Sequence, residues 1–82
     1  MVRIANLSTL SMAESNSYLK SADGDELTAA YALACDRNSL AGSTEAPDDT
    51  EVHHALYLMR RARGLGAPSY DSVRLMIKAR AA

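Results

Sequence analysis

Asp48 and Glu51 stand three residues apart, and Val52, Ala55, Leu56 and Met59 follow them at the spacing of one buried helical face. An acid three residues after a capping side chain lets each bond the other's backbone N–H at a helix start. The same spacing occurs at Ser11 and Glu14, and again in Asp23-Gly24-Asp25-Glu26, after which Leu27, Ala30, Tyr31 and Ala34 repeat the helical face. With four Tyr but no Phe or Trp, the core must be built from aliphatic layers, as helix packing permits. The expectation is an all-α fold: a single domain, residues 1–82, forming a small bundle of about four helices.

The punctuation sets the boundaries. A short helix is expected over about residues 12 to 21, with a weak apolar face because Ser15 and Asn16 separate Met12 from Leu19. Leu7 and Leu10 read as an irregular lead-in. A second helix is expected over about residues 24 to 39, and the turn formers of residues 41 to 49 make the main loop. The third helix ends at Gly64, which suits the left-handed C′ position, with Arg60, Arg61 and Arg63 facing the negative end of the helix dipole. Ser69 then caps a fourth helix that buries Val73, Met76, Ile77 and the stem of Arg80, with Tyr70 at its edge. Gly64 through Ser69 make a six-residue connection, so the last two helices are expected to form a helical hairpin.

An 82-residue chain has a core that is usually only marginally stable alone, so a second copy or a partner is a natural complement. The net charge of −1 argues against a protein held to nucleic acid by bulk electrostatics. That average hides a division, because residues 1 to 52 carry −6 and residues 53 to 82 carry +5. Either the fold presents one acidic and one cationic surface, or it brings the halves together.

Cys35 is the only cysteine, which excludes an intramolecular disulfide, suits a reducing cytosol and reads as a small buried apolar side chain. Asn6, Ser8, Thr9 and Ser11 break any signal-peptide apolar run after Arg3, and no segment approaches the roughly 18 apolar residues of a membrane span. The expected localisation is cytoplasmic, without membrane contact.

The sequence carries little that points to catalytic or metal chemistry. In DDTEVHH, residues 48 to 54, Asp49 and His53 are i, i+4 neighbours while His54 points about 100 degrees away, so two candidate ligands converge and not three. Asp48, Asp49 and Glu51 are better explained as caps. Cys35 has no nucleophile motif around it, and no Gly-rich phosphate cradle follows a strand. The chain is expected to be neither an enzyme nor a cofactor or metal protein.

Within LGAPSYDSVRLMI, residues 65 to 77, the order of Leu65, Gly66, Ser69, Ser72, Val73, Leu75 and Ile77 resembles the turn and recognition helix of helix-turn-helix DNA-binding proteins, with Ala62 as the small residue four before the turn glycine. The resemblance spans residues 62 to 78 and implies that Tyr70, Asp71, Arg74 and Lys78 face a major groove. It departs from the family in its longer connection, and in Val73, which falls one position late for the family's core site.

On a helical projection, Tyr57, Leu58 and Arg61 lie away from the third helix's core face. Leu75 likewise lies opposite Val73, Met76 and Ile77, flanked by Arg74, Asp71 and Lys78. Apolar residues bordered by Arg have the composition of a protein interface. The leading expectation is therefore a regulatory protein, suited to a bacterial or phage setting, that binds and modulates or inhibits a larger protein through Tyr57, Leu58, Arg61, Arg74, Leu75 and Lys78. The alternatives are a DNA-binding regulator, and a structural subunit or homodimer whose second faces are self-contacts.

Overall fold

The computed structural model describes residues 10–81. Over them the chain forms four helices and no strand: α1 (Met12–Ser21), α2 (Glu26–Leu40), α3 (Asp49–Ala62) and α4 (Tyr70–Ala81). The residues before Leu10 that carried the lead-in and signal-peptide readings lie outside the described residues, whereas Leu10 itself packs against the core.

Each helix starts where a side chain can take the first free N–H groups. Ser11 and Glu14 close a reciprocal capping box on α1, as do Asp48 and Glu51 on α3. Ser69 Oγ accepts from the Ser72 N–H at 3.2 Å and so caps α4. The second helix differs from expectation: its cap is Asp25, which accepts from the Thr28 N–H at 3.0 Å, and not Asp23. Asp23 and Gly24 belong instead to the exit from α1, where both have positive φ, 55° and 83°. There the Gly24 N–H bonds the Leu19 carbonyl at 2.8 Å and the Asp23 N–H that of Lys20 at 3.2 Å, the paired bonds of a Schellman ending.

The other two exits repeat that geometry. Gly42 (φ 86°) and Ser43 close α2 onto Ser39 and Asn38, while Gly64 (φ 75°) and Leu65 close α3 onto Arg61 and Arg60. Gly64 thus occupies the place the sequence predicts. Beyond it the connection doubles back along α3, since Arg60 Nε donates to the Gly66 carbonyl at 2.5 Å and His53 Nε2 lies 3.2 Å from the Pro68 carbonyl. The fourth helix therefore begins beside the first half of α3, with Tyr70 edge-on to the His53 ring at 5.7 Å.

The third helix touches each of the other three, and α2 and α3 form the main pair. They run antiparallel, because the start of α2 meets the end of α3 through Glu26 and Arg60, and its far end meets the start of α3 through Arg37 and His54. The core comprises Leu27, Ala29, Ala30, Leu33, Ala34, Val52, Ala55, Leu56, Met59 and Val73, with Ile77, Tyr18 and Leu19 packed on its margin. Alanines on α2 keep the helices close, and Leu, Val and Met fill the space between.

The number of neighbours each helix has explains three differences from the expected faces. Leu58 is buried at 4% exposure, so it is not a surface residue. A helix touched by three neighbours needs an apolar arc from Leu58 round to Leu56, about 160 degrees at 3.6 residues per turn, where a single seam needs less. On α2, packed by both α1 and α3, the arc shifts towards Ala29 and Leu33 and leaves Tyr31 46% exposed. On α4 only Val73 is fully buried and Ile77 partly so, while Met76 is 40% exposed. Cys35, expected to be buried, is half-buried.

The apparent gap in α1 is its contact point. Ser15 is completely buried, and its Oγ donates to the Met59 carbonyl at 3.1 Å. A small side chain there admits the α3 backbone, and the hydroxyl's hydrogen bond offsets the cost of burying it. Tyr18 of α1 donates its hydroxyl to the Asp36 carboxylate on α2. Burial, with the adjacent carboxylate second, pushes that phenol well above its ordinary pKa.

Candidate functional site

The division of charge along the sequence is partly cancelled by the fold. Arg60 Nη1 reaches both carboxylate oxygens of Glu26, at 2.7 and 3.0 Å, and Arg63 approaches the same carboxylate at 3.4 Å. Arg80 grips Asp25 with two N–H groups, at 2.5 and 2.6 Å. That pairing, reinforced by the Thr28 hydroxyl, holds the Asp25 carboxyl well below the usual carboxylate range. Three of the six cations in residues 53 to 82 thus bind the N-cap or the first residue of α2. Apposition of the two halves is the outcome for these three.

The remaining three, Arg61, Arg74 and Lys78, stay on the surface. Arg61 Nη1 lies 3.3 Å from the Tyr57 hydroxyl, with its guanidinium 6.0 Å from the centre of that ring. Arg74 meets Asp71 at 3.9 Å, one turn away on α4, an exposed contact of small energy. Lys78 meets no acid among the described residues.

The outer arc of α4 carries Asp71, Arg74, Leu75 and Lys78, opposite the buried Val73, with Tyr70 at the arc's edge. Leu75 is 62% exposed, the most exposed large apolar side chain described. Tyr57 is exposed on α3 beside Arg61 and His54. Of the six residues expected to bind a partner, five are therefore on the surface and Leu58 is in the interior. Among the described residues no hydrogen bond or ion pair joins the Tyr57–Arg61 pair to the α4 residues, so they form two separate groups. The residues expected to face DNA, Tyr70, Asp71, Arg74 and Lys78, are all exposed.

Among the described residues, cavities also lie outside these groups. An apolar groove of about 260 Å³ runs between α2 and α4, lined by Leu27, Tyr31, Pro47, Val52 and Ile77 with Arg80 at its rim. A second, of about 220 Å³, separates the end of α2 from the start of α3 and is lined by Arg37, Asn38, Thr50, Glu51 and His54. Sequence reasoning missed both, because each is assembled from residues far apart in the chain.

Among the described residues no group of three or more His, Cys, Asp or Glu side chains converges as metal ligands. His53 is engaged with the Pro68 carbonyl, and His54 lies 3.3 Å from Arg37. Nor is any described helix long and apolar enough to cross a membrane. The chain matches no protein-family model, no curated protein and no solved structure.

Proposed function

We propose that the chain is a non-enzymatic regulatory protein that docks on a larger protein through the outer arc of α4, with Arg74, Leu75 and Lys78 as its centre and Tyr57 and Arg61 as a flanking contact. The observation that carries this reading is Leu75, 62% exposed on a helix whose opposite side is buried by Val73. An exposed leucine flanked by Arg74 and Lys78 suits a partner with an apolar pocket bordered by carboxylates. The cations bound to α2 are engaged within the fold and take no part.

Affinity capture with the full chain and with a double variant, Arg74→Glu and Leu75→Glu, tests the proposal. The expected result is one protein recovered stoichiometrically by the parent chain and lost by a variant whose circular dichroism and melting temperature are unchanged. Equal recovery by both would sink it.

The exposure of Tyr70, Asp71, Arg74 and Lys78 on one helix supports a second reading, DNA binding. With Arg61, Arg74 and Lys78 as the phosphate contacts, the log–log salt dependence should have a slope of about −3. Absence of binding to duplex DNA at low salt would remove that reading.

A further inference from the structure

We propose that the cavity between the end of α2 and the start of α3 binds a small tetrahedral oxyanion, of the size and charge of phosphate or sulfate, against the Arg37 guanidinium. This site is separate from the α4 face and does not depend on how that face is used.

Arg37 is half-buried, and no carboxylate lies within ion-pair distance of it among the described residues. Its neighbour in sequence, Asp36, is engaged with the Tyr18 hydroxyl. The Arg37 Nε is sealed from solvent without a hydrogen-bond acceptor. Its Nη1 donates to Nδ1 of His54 at 3.3 Å, a partner that carries no counter-charge. A partly desolvated charge with no counter-charge is costly, and an anion arriving in the cavity offsets that cost.

Residues of the lining carry hydrogen-bond donors that a tetrahedral oxyanion can use. Asn38 brings an amide NH₂ and Thr50 a hydroxyl, and the Thr50 backbone N–H belongs to the first turn of α3, where no intrahelical acceptor exists. His54 adds a titratable donor. Desolvation first, then Arg37 and His53, holds its pKa below the ordinary histidine value, and a bound anion counters the two charge contributions. Glu51 is the one acid on the lining; its Oε1 accepts from the Asp48 N–H at 2.9 Å. A volume of about 220 Å³ is below that of cavities that take drug-sized ligands, which limits the occupant to a small ion.

The test is a nuclear magnetic resonance titration of the full chain with sodium sulfate and, separately, inorganic phosphate, each against sodium chloride at matched ionic strength. Saturable shifts are expected at the Asn38 side-chain amide, the Thr50 amide and the His54 ring with both oxyanions but not with chloride. Sulfate should also move the His54 protonation midpoint upward. Both effects should be lost in Arg37→Gln and weakened several-fold in Asn38→Leu, while Glu51→Gln, which keeps the capping box and removes the opposing charge, should bind sulfate more tightly. Shifts that chloride reproduces, that fail to saturate, or that persist in a folded Arg37→Gln chain overturn the proposal.

Discussion

Gly64 and Gly66 are two residues apart and do different work. At Gly64 φ is +75° and a Cβ would meet nothing within 4 Å, so the demand on this residue is purely conformational. Gly64→Ala should destabilise the chain by about 1 kcal/mol, the cost of holding an L-residue in the left-handed region. Gly66 has equal space but no positive φ. There Gly66→Ala should be neutral or stabilising by up to about 1 kcal/mol, because alanine restricts the unfolded chain more than the folded one. Urea unfolding of both variants measures the contrast, and equal losses would contradict it. Sequence alone separates these glycines only as far as the end of the third helix is legible, and here it is, through Arg60, Arg61 and Arg63. Ser15 is the opposite case. A polar residue amid a weak apolar pattern reads as a gap, and only the approach of the Met59 carbonyl identifies it as the point where α1 docks.

At the scale of elements, the two capping boxes were legible because their bonds are local in sequence. Asp48→Ala should cost about 1 kcal/mol, read as a lower unfolding midpoint, since it leaves the Glu51 N–H without its acceptor at 2.9 Å. The contacts between helices were not legible. Glu26 meets Arg60 and Arg63, and Asp25 meets Arg80, across separations that no periodicity encodes. The same applies to the exposure of Tyr31 and the burial of Leu58, which depend on how many neighbours a helix has. The Asp25 pairing has a consequence in acid. Its folded-state pKa is depressed well below the ordinary aspartate value, chiefly by the hydrogen bonds from Arg80 and then by that from Thr28. The stability it contributes is therefore present above about pH 4 and is lost as pH falls below that value. Asp25→Asn retains a capping side chain but not the charge. It should be less stable than the parent at pH 7, and the difference should narrow as pH falls from 4 to 2, as thermal unfolding at pH 7, 4 and 2 will show.

For the whole molecule, the decisive issue is whether an 82-residue chain completes its core alone or through a second copy, and α4 distinguishes the two. Its inner side chain, Val73, is fully buried beside Leu56 and Met59 in the core cluster, whereas Leu75 on the outer side is 62% exposed. Val73→Ala removes two buried methyl groups and leaves a cavity, which should cost about 2 kcal/mol, or roughly 10 °C in melting temperature for a domain of this size. Leu75→Glu should change stability by less than about 0.5 kcal/mol, as at other exposed positions. If the outer arc of α4 were instead a contact between copies, Leu75→Glu would lower the melting temperature as well, and the parent's melting temperature would rise with protein concentration. Melting both variants and the parent over a hundredfold concentration range therefore separates a monomer offering α4 to another protein from a self-associating subunit. A concentration-independent parent, a destabilised Val73→Ala and an unperturbed Leu75→Glu are the expected outcome, and they would leave Leu75 available to a partner of different sequence.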